Sequence, residues 1–199
     1  MSALTTTTTR TDFLRLQPQN TGFDIPGITN LVNQELGDPD CAKFAETILN
    51  QLSNGKGGSL PDVFKAFLNQ PKAHDLFTRT APPGSRGQAT AIGSLKNSTA
   101  GMFLRRDPNQ TVLDANGVIA ELFHFAGGGY SDKDLAKALN KTSYANEASL
   151  AFPDGTANIF DKKNYRANGW SDADGYSTYF HAIQQRHCGT IPPNSYRNP

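Results

Sequence analysis

The interpretation of this chain depends on one stretch of its sequence, VIAELFHFAG at residues 118–127. Apolar side chains fill most of its positions and a run of glycines ends it, which predicts a largely buried helix from about residue 114 or 115 to residue 126. Glu121 and His124 are the ionisable residues of the stretch. They lie three positions apart, so a helix makes them neighbours on its surface. Because a buried glutamate and a buried histidine each need a partner, the pair is a candidate functional site.

The spacing of Glu121 and His124 matches the second half of the H-E-x-x-H pattern of zinc hydrolases. In that pattern two histidines one helical turn apart bind the zinc ion, and the glutamate activates a bound water molecule. Ala120 occupies the position of the first histidine, and its methyl group cannot bind a metal. The pattern therefore indicates Glu121 as a general base and His124 as a zinc ligand, with zinc bound weakly or not at all. The alternative is a structural hydrogen bond between Glu121 and His124.

Residues 121–139 resemble the zincin superfamily and, more narrowly, the uncharacterised peptidase or toxin-type domains that occur with bacterial RHS-repeat proteins. Those domains tend to carry H-E-x-x-H, an alanine and a glycine, a glycine turn, and then Tyr-x-Asp-x-x-Leu-Ala. This chain has AGGG at residues 126–129 and YSDKDLA at residues 130–136. The likeness extends to DCAKF at residues 40–44 and RHC at residues 186–188. It covers less than a third of the chain.

The resemblance implies a set of site residues. It assigns Glu121 as the general base and His124 as a zinc ligand. The NEA sequence that contains Glu147 is similar to the Asn-Glu-Ala segment that provides the glutamate ligand in thermolysin-like zincins, so Glu147 is the expected further ligand. Asp134 is the alternative for that place. If Glu147 binds no metal, it is a solvated carboxylate in a loop or at a helix cap.

The chain contains two cysteines, Cys41 and Cys188. If they pair, the disulfide closes a long loop and stabilises the fold by about 4 kcal/mol in the chain-entropy model. The alternative is two free, half-buried thiols. Cys41 is also expected near a helix N-terminus, where the helix dipole lowers a thiol pKa, and its DCAKF context faintly resembles the NlpC/P60-type cysteine hydrolases. Asp38 and Asp40 oppose that effect, because nearby carboxylates raise a thiol pKa.

Composition and charge exclude several classes of function. The formal net charge is +1 and the sequence has no basic block, so nothing supports binding to nucleic acid or to an anionic membrane. No apolar run approaches the roughly 20 residues of a membrane span, and the threonine-rich N-terminus lacks the apolar core of a signal peptide. We therefore expect a cytoplasmic protein, or one exported by a route that uses no signal peptide.

Periodicity and capping residues predict one helix-rich α+β domain over residues 21–190, with disordered tails at residues 1–20 and 191–199. Together with the resemblance, they indicate a small zincin-like core made of a strand, the active helix and a second helix, under an N-terminal helical cap. The other predicted elements are helices near residues 28–36, 40–52, 59–70, 131–139 and 171–188, and strands near residues 89–95 and 100–105. Residues 143–170 are expected to be irregular.

The expected function is that of a degenerate zinc-metallopeptidase-like domain, impaired in catalysis because Ala120 replaces a ligand. Such a domain would act as a bacterial effector, or be the remnant of one, with a peptide or protein as substrate or partner. Two alternatives come from other classes. The first is a non-enzymatic structural or interaction domain, and the second is a cysteine hydrolase that uses Cys41.

Overall fold

A computed structural model of the chain describes residues 15–16, 24–70, 75–79, 89–105, 111–126, 129–147 and 172–189. Within these ranges the protein has several helices and a four-stranded sheet. The helix-rich α+β class predicted from the sequence is therefore confirmed. The N-terminal tail differs in one place from the prediction, because Arg15–Leu16 form a short strand that pairs in the sheet. The rest of both predicted tails lies outside the described residues.

Three helices form the N-terminal part, as the periodicity predicted. Each is preceded by a residue whose side chain accepts a hydrogen bond from a backbone N–H in the first turn. Each also has a proline at its first or second position. Such a cap satisfies donors that a helix start leaves unpaired, and proline has no N–H to lose at that position. The helices are α1 (Ile25–Leu36), α2 (Pro39–Leu52) and α3 (Leu60–Leu68), capped by Asp24, Asp38 and Ser59.

The sheet has the strand order β1-β2-β4-β3. The strands β1, β2 and β4 are parallel, whereas β3 lies at the end of the sheet and runs antiparallel to β4, with Ala91 opposite Met102. The strands are β1 (Arg15–Leu16), β2 (Asp75–Arg79), β3 (Ala89–Ile92) and β4 (Gly101–Arg105). The sequence predicted β3 and β4 but not β1 and β2.

The central helix α4 (Thr111–Phe125) contains residues 118–125 of the VIAELFHFAG stretch. Its residues from 114 to 123 are all buried, because the helix packs on β3 and β4 on one side and on α1 and α3 on another. The sequence predicted a start three or four residues later. Glu121 and His124 lie on this buried helix, as expected.

Two further helices pack against each other and complete the core: α5 (Asp132–Leu139) and α6 (Asp172–His187). A capping box opens α5, in which the Asp134 N–H donates to the Ser131 hydroxyl and Asp134 accepts from the Ser131 N–H. A short 3-10 helix (Ser143–Glu147) begins the segment that was expected to be irregular. The remainder of that segment lies outside the described residues.

A disulfide joins Cys41, in the first turn of α2, to Cys188, the residue after α6. The two Cα atoms are 4.5 Å apart, within the range that a disulfide allows. Of the two alternatives that the sequence allowed, a disulfide or two free thiols, the structure has the disulfide. Both sulfur atoms are bonded to each other, so Cys41 is no free nucleophile and the cysteine-hydrolase alternative fails for the oxidised protein.

The end of α6 is also fixed by the side chain of His187. Its Nδ1 lies 2.8 Å from an Asp40 oxygen, and its Nε2 lies 3.0 Å from both oxygens of Glu147. The ring stacks on Phe44 with 5.1 Å between the ring centroids, and Arg186 pairs with Glu147 at 3.0 Å. The disulfide and these contacts together tie the C-terminal end of α6 to α2 and to the 3-10 helix.

Candidate metal centre

Three helices bring together the side chains of His124, Asp132 and His181, which we call the His–Asp–His cluster. His124 lies at the end of α4, Asp132 is the first residue of α5, and His181 lies in the second half of α6. One ligand atom from each of the three side chains lies within 4.8 Å of the other two. Among the described residues this is the group whose donor atoms are placed to hold a metal ion.

The atoms of the cluster are spaced for a shared cation. An Asp132 oxygen lies 3.4 Å from His124 Nε2 and 3.6 Å from His181 Nε2. These distances exceed those of good hydrogen bonds, and this Asp132 oxygen is buried without a hydrogen-bond partner. Ligand atoms bound at about 2.0–2.2 Å to a tetrahedral zinc ion lie roughly 3.3–3.6 Å from one another. Both distances from the Asp132 oxygen fall in this range, and the three ligand atoms lie within 4.8 Å of one another, so the group could hold a metal ion.

The orientation of His124 is set by the turn that follows α4. The Tyr130 N–H donates to the His124 carbonyl at 2.9 Å, and the His124 Nδ1 donates to the Tyr130 carbonyl at 2.7 Å. Gly129 makes this turn possible, because its φ of 112° is a conformation that other residues rarely adopt. With Nδ1 committed to a backbone carbonyl, Nε2 is the nitrogen left to bind a metal, which is the usual arrangement of histidine ligands.

The third member of the cluster, His181, comes from α6. Its neighbours Tyr179, Phe180 and Ile183 are buried in the core, so the helix face that carries His181 borders the core. The ring centroids of His124 and His181 are 6.0 Å apart. The Nδ1 atom of His181 is buried and has no hydrogen-bond partner, whereas its Nε2 faces Asp132.

The charges of the cluster stabilise one another. Burial alone would raise the pKa of Asp132, but the two facing histidines hold that pKa well below its usual range. Burial would likewise lower the pKa of His124, but its contact with Asp132 and the charge of Glu121 outweigh this effect and raise the pKa from 6.5 to about 9. Without a metal ion, the cluster therefore retains a proton at neutral pH.

Glu121 lies beside the cluster without belonging to it. Only 4% of the residue is exposed, and its carboxylate accepts a hydrogen bond from the Ala91 N–H of β3. Burial raises the pKa of Glu121, while the charges of His124 and His181 lower it. The strand that binds Glu121 is β3, the antiparallel neighbour of β4.

The two carboxylates expected to complete the site lie elsewhere. Glu147 accepts hydrogen bonds from His187 and Arg186, and Asp134 is exposed and closes the capping box of α5. Neither is a member of the His–Asp–His cluster. Of the predicted site residues, the structure brings His124 into the cluster and places Glu121 next to it.

Sequence analysis missed Asp132 and His181. Asp132 lies in the YSDKDLA segment that carries the resemblance, eight residues after His124, and the glycine turn could have identified it as the nearer carboxylate. The local sequence does not show that α6 packs against α5, so it contains no direct signal for His181.

Comparison with protein-family models, with curated proteins and with solved structures gives no match to this chain.

None of the helices in the described ranges combines the length and the apolar character that crossing a membrane requires.

Raising the pH from 6.5 to 9 should destabilise the metal-free protein. The pKa of His124 is about 9 in the fold and 6.5 ordinarily. Its proton therefore stabilises the fold fully below pH 6.5, and this contribution is lost as the pH rises through 9. The shift corresponds to a decrease on the order of 3 kcal/mol in the free energy of unfolding. Urea unfolding at both pH values, in the presence of a chelator, measures the decrease.

Asp132→Asn is the matched control for this measurement. The substitution removes the carboxylate that holds the proton on His124, so the pH dependence should become less than half as steep. An equal pH dependence in the two proteins would show that Asp132 does not stabilise the charged form of His124.

Proposed function

We propose that this domain is a zincin-like metallohydrolase in which His181 takes the place of the missing histidine at position 120. A zinc ion would be held by His124, Asp132 and His181, and the substrates would be peptides or proteins. The observation that supports this proposal most strongly is the buried Asp132 oxygen, which lies 3.4 and 3.6 Å from the Nε2 atoms of the two histidines.

The donor set suits a catalytic zinc site. Two imidazoles and one carboxylate are the ligand types of several zinc hydrolases, and three protein ligands leave a fourth position open. The side chains are 16%, 33% and 20% exposed for His124, Asp132 and His181, so water and substrate can approach from one side. A structural zinc site, in contrast, usually has four protein ligands and no open position.

Glu121 is suited to act as the general base. A bound zinc ion lowers the pKa of a water molecule and polarises a carbonyl group. Glu121 is close enough for the charges of His124 and His181 to affect its pKa, yet its carboxylate is held by the Ala91 N–H and is not part of the ligand group. It can therefore take up a proton without leaving the site.

A peptide or protein substrate is supported by the position of β3. Successive residues of an antiparallel strand direct their N–H groups alternately toward the partner strand and away from it. The Ala91 N–H donates to Glu121, so it points away from β4. In zincins, which the sequence resembles, the strand beside the active helix holds the substrate backbone. The edge of β3 next to Glu121 is the corresponding surface here.

A non-enzymatic domain is the second candidate. It is favoured by the hydrogen bond between Glu121 and Ala91, because this bond satisfies the buried carboxylate without any role in catalysis. In that case the His–Asp–His cluster would be an ion pair inside an interaction domain. Metal content and hydrolytic activity separate the two candidates.

Removal of His181 should weaken zinc binding strongly. We expect the oxidised protein to bind one zinc ion, and His181→Ala to raise its dissociation constant at least a hundredfold, because the chelate loses one of three ligands. Competition with a chromophoric chelator measures the constant. Glu147→Gln and Asp134→Asn are the matched controls and should change it less than threefold. A chain that binds no zinc, or a His181→Ala variant with unchanged affinity, would contradict the proposed site.

A histidine at position 120 should compensate for the loss of His181. Ala120 is on the same helix as His124, one turn earlier, which is the position of the first ligand in H-E-x-x-H. In the His181→Ala background, Ala120→His should therefore restore zinc affinity at least tenfold. Ala120→Phe adds a ring without a ligand atom and should restore nothing. If Ala120→His binds no more zinc than its parent while the fold is intact, the zincin ancestry is wrong.

Glu121→Gln should separate metal binding from hydrolysis. The amide keeps the size of the side chain but cannot accept a proton, so zinc affinity should change less than threefold while hydrolysis of a quenched-fluorescent peptide library falls at least a hundredfold. Zinc-loaded His124→Ala serves as a control for contaminating proteases. Zinc-loaded wild-type protein without any turnover would favour the non-enzymatic candidate.

A further inference from the structure

The Cys41–Cys188 disulfide is attached to the end of α6, the helix that carries His181 of the His–Asp–His cluster. Cys188 directly follows α6, and His181 precedes Cys188 by seven residues, or about 10 Å along a helix. The disulfide therefore fixes the end of the helix that presents His181. Neither His124 nor Asp132 is on a helix that contains a cysteine.

His124 and Asp132 are held together locally. The Tyr130 carbonyl and N–H both bind His124, and Asp132 follows Tyr130 by two residues. This half of the cluster is complete once α4, the turn and the start of α5 have formed. His181, in contrast, comes 49 residues after Asp132, so its position depends on how α6 docks.

The docking of α6 depends on contacts at two places. Along its length α6 packs on α5. At its C-terminal end it is joined to α2 by the disulfide and by the contact of His187 with Asp40. Of these contacts the disulfide is covalent, and it closes a separation of 147 residues. Without it, the end of α6 is held only by non-covalent contacts, such as those of His187 with Asp40 and Glu147, and the freedom of His181 increases.

We propose that closure of the Cys41–Cys188 disulfide matures the metal site by fixing His181 against His124 and Asp132. The inference rests on the proposed function, because it concerns the same zinc site. In the chain with two thiols, His124 and Asp132 are in place but His181 is not held, so zinc is bound weakly. In the oxidised chain all three ligands are present.

The chemistry of this step requires an oxidant. Two thiols lose two electrons and two protons as the S–S bond forms, and a protein or small-molecule disulfide takes them up and becomes a dithiol by thiol–disulfide exchange. Such oxidants dominate in secretory and extracellular compartments, whereas dithiol reductants keep cytosolic thiols reduced. Both cysteines are fully buried, so the closed bridge is shielded from reductants and the step acts as maturation in one direction.

A thermodynamic cycle tests the coupling between the disulfide and His181. Zinc dissociation constants are measured for the oxidised protein, for Cys41→Ala/Cys188→Ala, for His181→Ala and for the triple variant. Alanine is used because a free thiolate would itself bind zinc. Loss of the disulfide should raise the constant at least tenfold when His181 is present and less than twofold when it is absent. Equal effects in both backgrounds, or no effect in either, would overturn the inference.

A second measurement applies if the double-alanine variant proves unfolded by circular dichroism. Because both cysteines are buried, reduction requires the end of α6 to open. Bound zinc should oppose this opening, since it would pull His181 away from the metal. At saturating zinc, reduction of the bridge by a phosphine should slow at least fivefold in the wild-type protein and remain unchanged in His181→Ala. Phosphines are chosen because dithiols bind zinc. Equal protection in the two proteins, or none, would overturn the inference.

The outcomes also distinguish this inference from the proposed function. If the oxidised wild-type protein binds no zinc, the proposed function fails and the maturation step fails with it. If it binds zinc through His181 but the disulfide has no effect on affinity, only the maturation step is wrong.

Discussion

The arrangement of the site depends on one oxygen of Asp132 that is buried between two imidazole nitrogens. Moving a carboxylate out of water costs several kcal/mol unless a cation compensates for it. The fold offers two cations for this place, a proton on an imidazole or a metal ion. Because the pKa of His124 is raised to about 9, a metal ion must displace a proton at neutral pH, and its affinity rises with pH. The contact of Asp132 with protonated His124 therefore stabilises the metal-free fold, and a metal ion would bind only by replacing that proton.

The rest of the fold serves to hold the groups around that oxygen. Gly129 lets the chain turn back so that the Tyr130 carbonyl orients His124, and the same turn starts α5 at Asp132, where the helix dipole favours a negative charge. The sheet supports α4 from the other side and gives Glu121 a backbone donor on β3. Glu121 and His124, on one buried helix, are thus fixed independently, Glu121 by a strand and His124 by a turn.

The sequence predicted the parts of this arrangement that depend on local pattern. The burial of α4, the helix that starts near residue 131 and strand β4 all follow from periodicity or from a few adjacent residues, and the structure confirms them. The sequence did not decide whether the two cysteines pair, because pairing depends on whether α2 and the end of α6 meet in the fold. Asp132 was missed in favour of Asp134, which lies two residues further on and closes the capping box with Ser131. His181 and the pairing of β1 with β2 depend on contacts between distant segments, which no local pattern records.

The proposed ligand His181 lies on a different helix from His124, so metal binding would depend on how the two helices pack. A histidine at position 120 would stand on the same helix as His124, and the pair would be ready as soon as that helix formed. His181 comes instead from α6, which packs on α5 and is bridged to α2. If His181 is the ligand, the metal joins the central helix to the last helix of the described chain, and its binding energy is available only to a nearly complete fold. With His181 as the proposed ligand in place of a histidine at position 120, metal binding would depend on the tertiary structure and, through the end of α6, on the oxidation state of Cys41 and Cys188.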